Sequence, residues 1–210
     1  MEGFKQPLAF AAGRVPDYNL AIMKIRHYEA WVHTPFLVNL LDPKGSHAQG
    51  DLFYRLFVQE AFDQSDPIRN TILEGKVRKI KGEHGTKDLG IIDIWLEVRS
   101  KMIDYCLIIE NKVYAPDQKE QLQRYYEYAR GKGFTDDRIR ILYLTPWHGG
   151  RPTHESMKLE NQEKLISSRT LQFISYHQTI ARFLHKSMEE LKAPRLIHSI
   201  QQYLEVISTL

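Results

Sequence analysis

Two apolar runs near the middle of the chain predict a pair of adjacent β-strands. The first covers about residues 91–98 and the second about 104–113, and both are rich in β-branched side chains. The polar sequence Arg-Ser-Lys at 99–101 separates them at a spacing that suits an antiparallel hairpin. An apolar run at 139–145 predicts a further strand, and a weaker pattern within 71–81 predicts another.

Helical spacing of apolar residues predicts helices on both sides of these strands. The predicted helices cover about residues 18–41, 49–63, 117–130, 175–188 and 194–207. A polar loop rich in Gly, Pro, His and Glu precedes the last two helices. There is no internal repeat and no low-complexity linker, so the order of elements predicts one α/β domain over residues 1–210, with its core at about 50–146.

The composition is that of a globular domain with a sizeable core. Of the 210 residues, 42% are hydrophobic and 26% are charged, which excludes a disordered or fibrous chain. No segment approaches 18 uninterrupted apolar residues, and the first residues lack the apolar region of a signal peptide. The single cysteine, Cys106, lies in an apolar run and is predicted to be a core residue. Together these features favour a cytoplasmic protein with no membrane association.

The net charge of +3 is compatible with nucleic-acid binding but is too small to predict it. Basic residues do concentrate before the first acidic strand and around the 139–145 strand. They are Arg78, Lys79, Lys81, Lys87, Arg138, Arg140 and Arg151. A solvated surface and a local basic face both remain open as interpretations.

Each strand of the predicted hairpin carries an acidic residue within its apolar run. Asp93 follows two isoleucines, Glu110 follows two more, and Lys112 comes two residues later. Because side chains alternate along a strand, we expect Glu110 and Lys112 on one face and Asn111 on the other. Charged groups in an apolar strand cost free energy unless they pair or bind an ion.

This pattern suits a divalent-metal site for phosphodiester hydrolysis. Mg²⁺ prefers oxygen ligands, commonly one or two carboxylates with waters and substrate oxygens. Asp93 and Glu110 are candidates for the two carboxylates, and the backbone carbonyl of Asn111 is a candidate third ligand. Lys112 is a candidate to hold or deprotonate the attacking water and to stabilise charge on the phosphate. Two alternatives remain open: a buried ion pair between Glu110 and Lys112, and an exposed hairpin face with scattered charges.

The helix predicted at 117–130 adds two polar residues to this group. Gln121 and Tyr125 are four residues apart, so they lie on the same side of the helix and can face the strand ends. The sequences Ile-Ile-Asp93-Ile, Ile-Ile-Glu110-Asn-Lys112 and Gln121-Leu-Gln-Arg-Tyr125 resemble the PD-(D/E)XK nuclease superfamily, and the Gln-x-x-x-Tyr spacing resembles its RecB-like branch. Residues 40–53 and 173–178 are similar to a bacterial subgroup of that superfamily, so the resemblance covers about residues 38–185.

The resemblance implies an α/β, restriction-endonuclease-like core, in which a central four-stranded mixed sheet is flanked by helices, with extra N- and C-terminal helices. It implies Mg²⁺ or Mn²⁺ between Asp93 and Glu110, and Lys112 as the catalytic lysine. Gln121 and Tyr125 are implied to position the substrate or the lysine, so both join the candidate catalytic residues.

A glutamate from the first core helix reaches the metal in many members of the superfamily. The resemblance makes Glu60 the candidate for this role, with Glu83 a weaker one because glycine surrounds it. The proline-aspartate pair of the superfamily is absent, since Asp93 follows isoleucine.

Three other features have open interpretations. His47 lies in a Gly-Ser-His turn and can approach phosphate or hydrogen-bond within its loop. Trp147-His-Gly-Gly follows the 139–145 strand, as a substrate-side loop or a simple turn. Tyr125 is a candidate for stacking on a base. No paired-histidine zinc motif and no phosphate-binding Gly-x-x-x-x-Gly-Lys loop occurs.

The function expected from these features is metal-dependent hydrolysis of phosphodiester bonds, with DNA favoured over RNA as the substrate. The alternative is a catalytically silent nuclease fold that binds nucleic acid or a protein partner. A homodimer is compatible with either hypothesis.

Overall fold

The computed structural model describes residues 29–210, and the part of the predicted first helix before residue 29 lies outside them. Seven α-helices follow a π-helical turn at Glu29–His33. They are α1 (Thr34–Leu41), α2 (Leu52–Ala61), α3 (Arg69–Leu73), α4 (Gln121–Gly131), α5 (Leu159–Ser167), α6 (Ala181–Glu190) and α7 (Pro194–Ile207). A second π-helical turn, Tyr176–Ile180, leads into α6.

Five strands form one mixed sheet. They are β1 (Lys76–Gly85), β2 (Ile91–Ser100), β3 (Ile103–Asn111), β4 (Ile139–Thr145) and β5 (Leu171–Ser175), and they pair in that order. The β1–β2 and β2–β3 pairs are antiparallel, whereas β3–β4 and β4–β5 are parallel.

The expected restriction-endonuclease-like α/β fold is confirmed, but the expected sheet of four strands is wrong because β5 adds a fifth. The sequence predicts a polar loop up to the helix that begins at about residue 175, and the structure places α5 and β5 in this region. Helix α5 buries only Gln162 and Leu165, and β5 is five residues long. Both patterns are too short or too polar for periodicity to reveal them.

Each face of the sheet packs against its own group of helices. One face carries Ile94, Leu96, Leu107, Ile109, Leu142 and Leu144 in the larger core. Helices α1, α2, α3, α6 and α7 cover that face. The other face carries Trp95, Cys106, Ile108 and Ile141, and it packs against α4 and α5. The apolar alternation of the strands is therefore satisfied on both sides.

Strand direction determines which residues meet at the edge of the sheet. Because β2 runs antiparallel to β3, the start of β2 lies beside the end of β3. Because β4 runs parallel to β3, the ends of β3 and β4 also meet there. Residues at the start of β2 and the ends of β3 and β4 therefore come together, although they are far apart in the sequence.

Among residues 29–210, no helix combines the length and the apolar character needed to cross a membrane.

Candidate active site

Asp93 and the end of β3 are joined by a hydrogen bond at the edge of the sheet. The backbone ladder between β2 and β3 extends to the pair Ile94 and Ile109. Beyond that pair, the Asn111 N–H donates to Asp93 Oδ2 at 2.7 Å. An aspartate side chain therefore takes the position of a strand carbonyl, which brings its carboxylate close to Glu110.

The predicted alternation along β3 is observed. Lys112 Nζ lies 2.9 Å from Glu110 Oε1, so these two side chains share the face that packs against α4. The Asn111 side chain points to the opposite face, where its Nδ2 donates to Thr34 Oγ1 at 3.3 Å and its Oδ1 accepts from the Tyr176 hydroxyl at 2.9 Å. Both faces of β3 are thus fixed at the point where the strand ends.

Burial makes the two carboxylates costly to ionise. Desolvation is the main cause that raises the pKa of Asp93 to about 7, although the hydrogen bond from Asn111 opposes this effect. Desolvation also raises the pKa of Glu110 well above its ordinary value, and repulsion from Asp93 adds to the increase. Two neighbouring acids whose pKa values are both raised are typical of a site that holds a cation or handles protons.

The ion pair with Lys112 does not satisfy Glu110. Glu110 is 1% exposed, and its Oε2 has no hydrogen-bond partner within residues 29–210. The buried ion pair between Arg140 on β4 and Asp66 differs, because both oxygens of Asp66 accept from Arg140 and Gln172 also donates to one of them. Buried polar atoms in folded proteins nearly always have a partner, so the free oxygen of Glu110 is available to accept from or bind a further group.

These residues fit a hard divalent cation. The free Oε2 of Glu110 and the carboxylate of Asp93 are oxygen ligands of the kind that Mg²⁺ prefers. In a regular strand the N–H and C=O of one residue point to the same side, so the Asn111 carbonyl is expected to face β2 with its N–H. Among the described residues, no group of three or more His, Cys, Asp or Glu side chains could hold a metal. Any ion here would therefore depend on backbone, water and substrate oxygens as well.

Gln121 and Tyr125 lie beside the carboxylates and link α4 to the start of β2. The Gln121 side chain donates to the Tyr125 hydroxyl at 3.1 Å, and that hydroxyl donates in turn to the Ile91 carbonyl. Burial is the main cause that raises the pKa of Tyr125, and the nearby charges of Glu110 and Asp93 add to the increase. Tyr125 is fully buried, however, so the expectation that it stacks on a base is wrong.

Glu60 is not brought to this group. Its two carboxylate oxygens accept from Arg182 at 3.1 Å and from Lys186 at 2.5 Å, both on α6. These contacts give it a structural role in joining α2 to α6. Glu83, the weaker candidate, is exposed on β1 and lies close enough for its charge to raise the pKa of Asp93.

Glu29 is a site residue that the sequence reasoning missed. One of its carboxylate oxygens accepts from the backbone N–H groups of Val113, Tyr114 and Ala115, at 2.5, 2.6 and 3.0 Å. This contact holds the chain just after Lys112. It joins residues more than 80 positions apart, so no local pattern could have revealed it.

The structure also decides between the alternative interpretations of Arg140 and of His47. Arg140 is 1% exposed and paired with Asp66, so it does not contribute to a basic face. His47 accepts from the Gln49 N–H at 3.0 Å and contacts the Asp42 carbonyl at 2.9 Å, which corresponds to the loop hydrogen-bonding interpretation.

Comparison with known proteins agrees with this geometry. A family model described as the PD-(D/E)XK nuclease superfamily matches residues 19–205. Searches of curated proteins and of solved structures each find no match. The family match supports a nuclease-type function, and with it binding of nucleic acid. Since the matched region covers most of the sequence and includes every candidate site residue, the chain belongs to the PD-(D/E)XK nuclease superfamily.

Proposed function

We propose that this protein is a metal-dependent nuclease that hydrolyses phosphodiester bonds in DNA. The single observation that carries the proposal is the free, buried oxygen of Glu110 beside the carboxylate of Asp93. Two adjacent acids without a cation repel each other, and burial increases that repulsion. A divalent ion removes this cost and is the usual partner of such a pair in phosphodiester chemistry.

In this proposal Asp93, Glu110 and the Asn111 carbonyl hold Mg²⁺ or Mn²⁺. A divalent ion bound there would supply charge to offset the negative charge on the phosphate and would ease loss of a proton from the attacking water. The hydrogen bond from the Asn111 N–H to Asp93 fixes one carboxylate relative to the strand that carries the other. Such fixed geometry lowers the reorganisation needed during the reaction.

Lys112 acts as a donor to the phosphate or the water. Its ammonium group has three N–H bonds. One is directed to Glu110 at 2.9 Å and another to the Pro116 carbonyl at 3.3 Å, so one remains for a substrate oxygen or a water. Since Lys112 already contacts the Glu110 carboxylate and donates to the Pro116 carbonyl, we assign it charge stabilisation rather than proton removal.

Gln121 and Tyr125 act as positioning residues. Their hydrogen bonds end on the Ile91 carbonyl, two residues before Asp93. They therefore hold the start of β2 against α4, and their effect on catalysis passes through the position of Asp93.

The test is a cleavage assay on supercoiled plasmid, linear duplex and single-stranded DNA, with Mg²⁺, Mn²⁺ or EDTA. The proposal predicts cleavage that requires metal and is lost in Asp93→Asn and Glu110→Gln. Glu60→Gln is the matched control, because it removes an acid that is paired elsewhere, and it should cleave like wild type. Absence of cleavage with every substrate, or cleavage unchanged in Glu110→Gln, contradicts the proposal.

A further inference from the structure

Trp147 is an exposed aromatic side chain at the edge of the sheet that carries the candidate active site. It follows the end of β4 by two residues, and 62% of its surface is exposed. The Leu144 carbonyl accepts from the Lys112 N–H at 2.7 Å, so the end of β4 lies directly beside Lys112. Three residues of extended chain span at most about 11 Å, which is about three nucleotide steps of a DNA strand. Trp147 is therefore within a few nucleotides of the proposed cleavage position.

The His177 side chain supports one face of the indole ring. It stacks on His177 with ring centroids 3.7 Å apart and planes 12° apart, which leaves its other face open to solvent. The loop is fixed by two hydrogen bonds, from the His177 N–H to the Pro146 carbonyl at 3.1 Å and from Thr145 Oγ1 to the Trp147 carbonyl at 2.9 Å. A ring fixed before binding loses little conformational entropy when a ligand stacks on it.

The charge around Trp147 suits a nucleic-acid strand. The loop between β4 and α5, residues 146–158, contains Arg151, Lys158, His148 and His154 and a single acidic residue, Glu155. The Arg151 guanidinium lies 5.0 Å from the centre of the Phe173 ring, and it makes no ion pair with any residue in the described range 29–210. This positive charge is available for a phosphate group.

Strand register connects that charge to the active site. Phe173 on β5 pairs with Tyr143 on β4, and Tyr143 pairs with Glu110 on β3. Neighbouring strands lie about 4.8 Å apart, so Phe173 is about 10 Å from Glu110 along this row. A nucleotide chain leaving Glu110 along the sheet edge would therefore pass Phe173 and the Arg151 guanidinium that lies over its ring.

A free aromatic face of this kind selects for unpaired bases. Bases inside a duplex are already stacked on their neighbours, whereas an unpaired base presents its own face to the protein. We propose that the Trp147–His177 pair is a stacking platform for an unpaired nucleotide, and that the substrate is a single DNA strand, or a single-stranded segment of one, close to the scissile phosphate. This inference rests on the proposed nuclease function and adds the substrate class to it.

The test measures binding and cleavage of labelled single-stranded DNA and of blunt duplex of the same sequence. Wild type is compared with Trp147→Ala, Trp147→Phe and Met102→Ala. Met102 is the matched control because it is also a large exposed hydrophobic residue, at 85%, but lies in the β2–β3 turn at the opposite end of the sheet. Binding is measured in EDTA, so that it does not depend on turnover, and thermal melting verifies that each variant is folded.

We expect wild type to bind the single strand more tightly than the duplex. Trp147→Ala should weaken single-strand binding about 5-fold or more, as expected for the loss of stacking on one base, while duplex binding stays the same. Trp147→Phe should retain most of the affinity, and Met102→Ala all of it.

Two results would overturn the inference, and only one of them also contradicts the proposed nuclease function. In the first, wild type and Trp147→Ala both cleave with metal and show the same preference for single strands. That result contradicts the stacking platform but is consistent with the nuclease function. If the protein neither binds nor cleaves any of these DNAs, both the platform and the proposed nuclease function are contradicted.

Discussion

The backbone N–H of Asn111 donates to the carboxylate of Asp93 at 2.7 Å, so the peptide that follows Glu110 fixes the position of the other candidate metal ligand. One peptide unit thus determines the geometry of both acids. The Asn111 side chain is fixed on the opposite face by α1 and by the turn that begins α6. Contacts from β2, from α1 and from the turn before α6 therefore hold this peptide in place.

The metal-free protein should lose stability as the pH rises from about 4 to about 7. Burial raises the folded pKa of Asp93 from 3.8 to about 7, so the folded state binds the proton more tightly than the unfolded state does. The resulting stabilisation is fully present below the unfolded pKa and is lost as the pH rises through the folded pKa. Three pH units correspond to at most about 4 kcal/mol.

Chemical denaturation in EDTA across this pH range measures the effect, with Asp93→Asn as the comparison. Asparagine keeps an oxygen that can accept the Asn111 N–H but does not ionise, so the slope of stability against pH should become shallower. The raised pKa of Glu110 acts in the same direction and leaves part of the slope in the variant. Equal slopes in the two proteins would show that Asp93 ionises as freely when folded as when unfolded.

Replacing Lys112 should separate stability from metal binding. Lys112→Met removes the charge 2.9 Å from Glu110 and leaves a buried carboxylate without a counter-ion. Breaking one side of a buried pair typically costs about 3–5 kcal/mol. We therefore expect lower stability in EDTA, a larger stabilisation by Mn²⁺ than in wild type, and no cleavage.

Thermal melting with and without Mn²⁺ measures the first two effects, and the cleavage assay measures the third. Lys79→Met is a suitable control, because Lys79 pairs with Glu97 on the exposed surface and its loss should have little effect on any of them. Cleavage by Lys112→Met at the wild-type rate would refute the assigned role of the lysine.

Tyr176 should act on metal affinity through Asn111. It is fully buried and donates to Asn111 Oδ1 at 2.9 Å. Tyr176→Phe removes this hydroxyl and leaves the Asn111 side chain with its bond to Thr34, so we expect a loss of about 1–2 kcal/mol in stability and a several-fold loss of Mn²⁺ affinity.

The matched control is Tyr54→Phe. Tyr54 is equally buried in the same core, and its hydroxyl donates to the Ile72 carbonyl at 2.5 Å, away from the site. It should cost similar stability and leave Mn²⁺ affinity unchanged. If both variants lost metal affinity equally, Tyr176 would have only a structural role.

Glu29 should control the segment that follows Lys112. Glu29→Ala removes the acceptor of three backbone N–H groups, so Val113–Ala115 loses its anchor and turnover should fall about 10-fold or more. Glu29→Gln keeps an acceptor oxygen without the charge and should have an intermediate effect, because bonds to a charged acceptor are about twice as strong. Wild-type turnover in Glu29→Ala would show that this contact does not support catalysis.

The sequence predicted best those parts of the molecule that depend on local pattern. The bounds of β4 and α7 agree with the predicted segments, and the alternation along β3 correctly separated Asn111 from Glu110 and Lys112. In these elements a strong apolar period coincides with burial, and so the local signal and the fold agree.

Contacts between distant segments could not be predicted in the same way. Glu60 and Glu29 are both glutamates, so residue type alone does not show which of them lies near the site. The packing of α2 against α6 directs Glu60 to Arg182 and Lys186 instead. The free oxygen of Glu110 is likewise a property of the folded site, since the sequence also allowed a fully satisfied ion pair.

The most direct test of the central claim is a calorimetric titration of Mn²⁺ into wild type, Glu110→Gln and Glu60→Gln. If Asp93 and Glu110 hold the ion together, wild type and Glu60→Gln will bind Mn²⁺ with the same affinity, and Glu110→Gln will show no binding. Equal binding by all three proteins, or no binding by wild type, would contradict the claim and return Glu110 and Lys112 to the role of a buried ion pair.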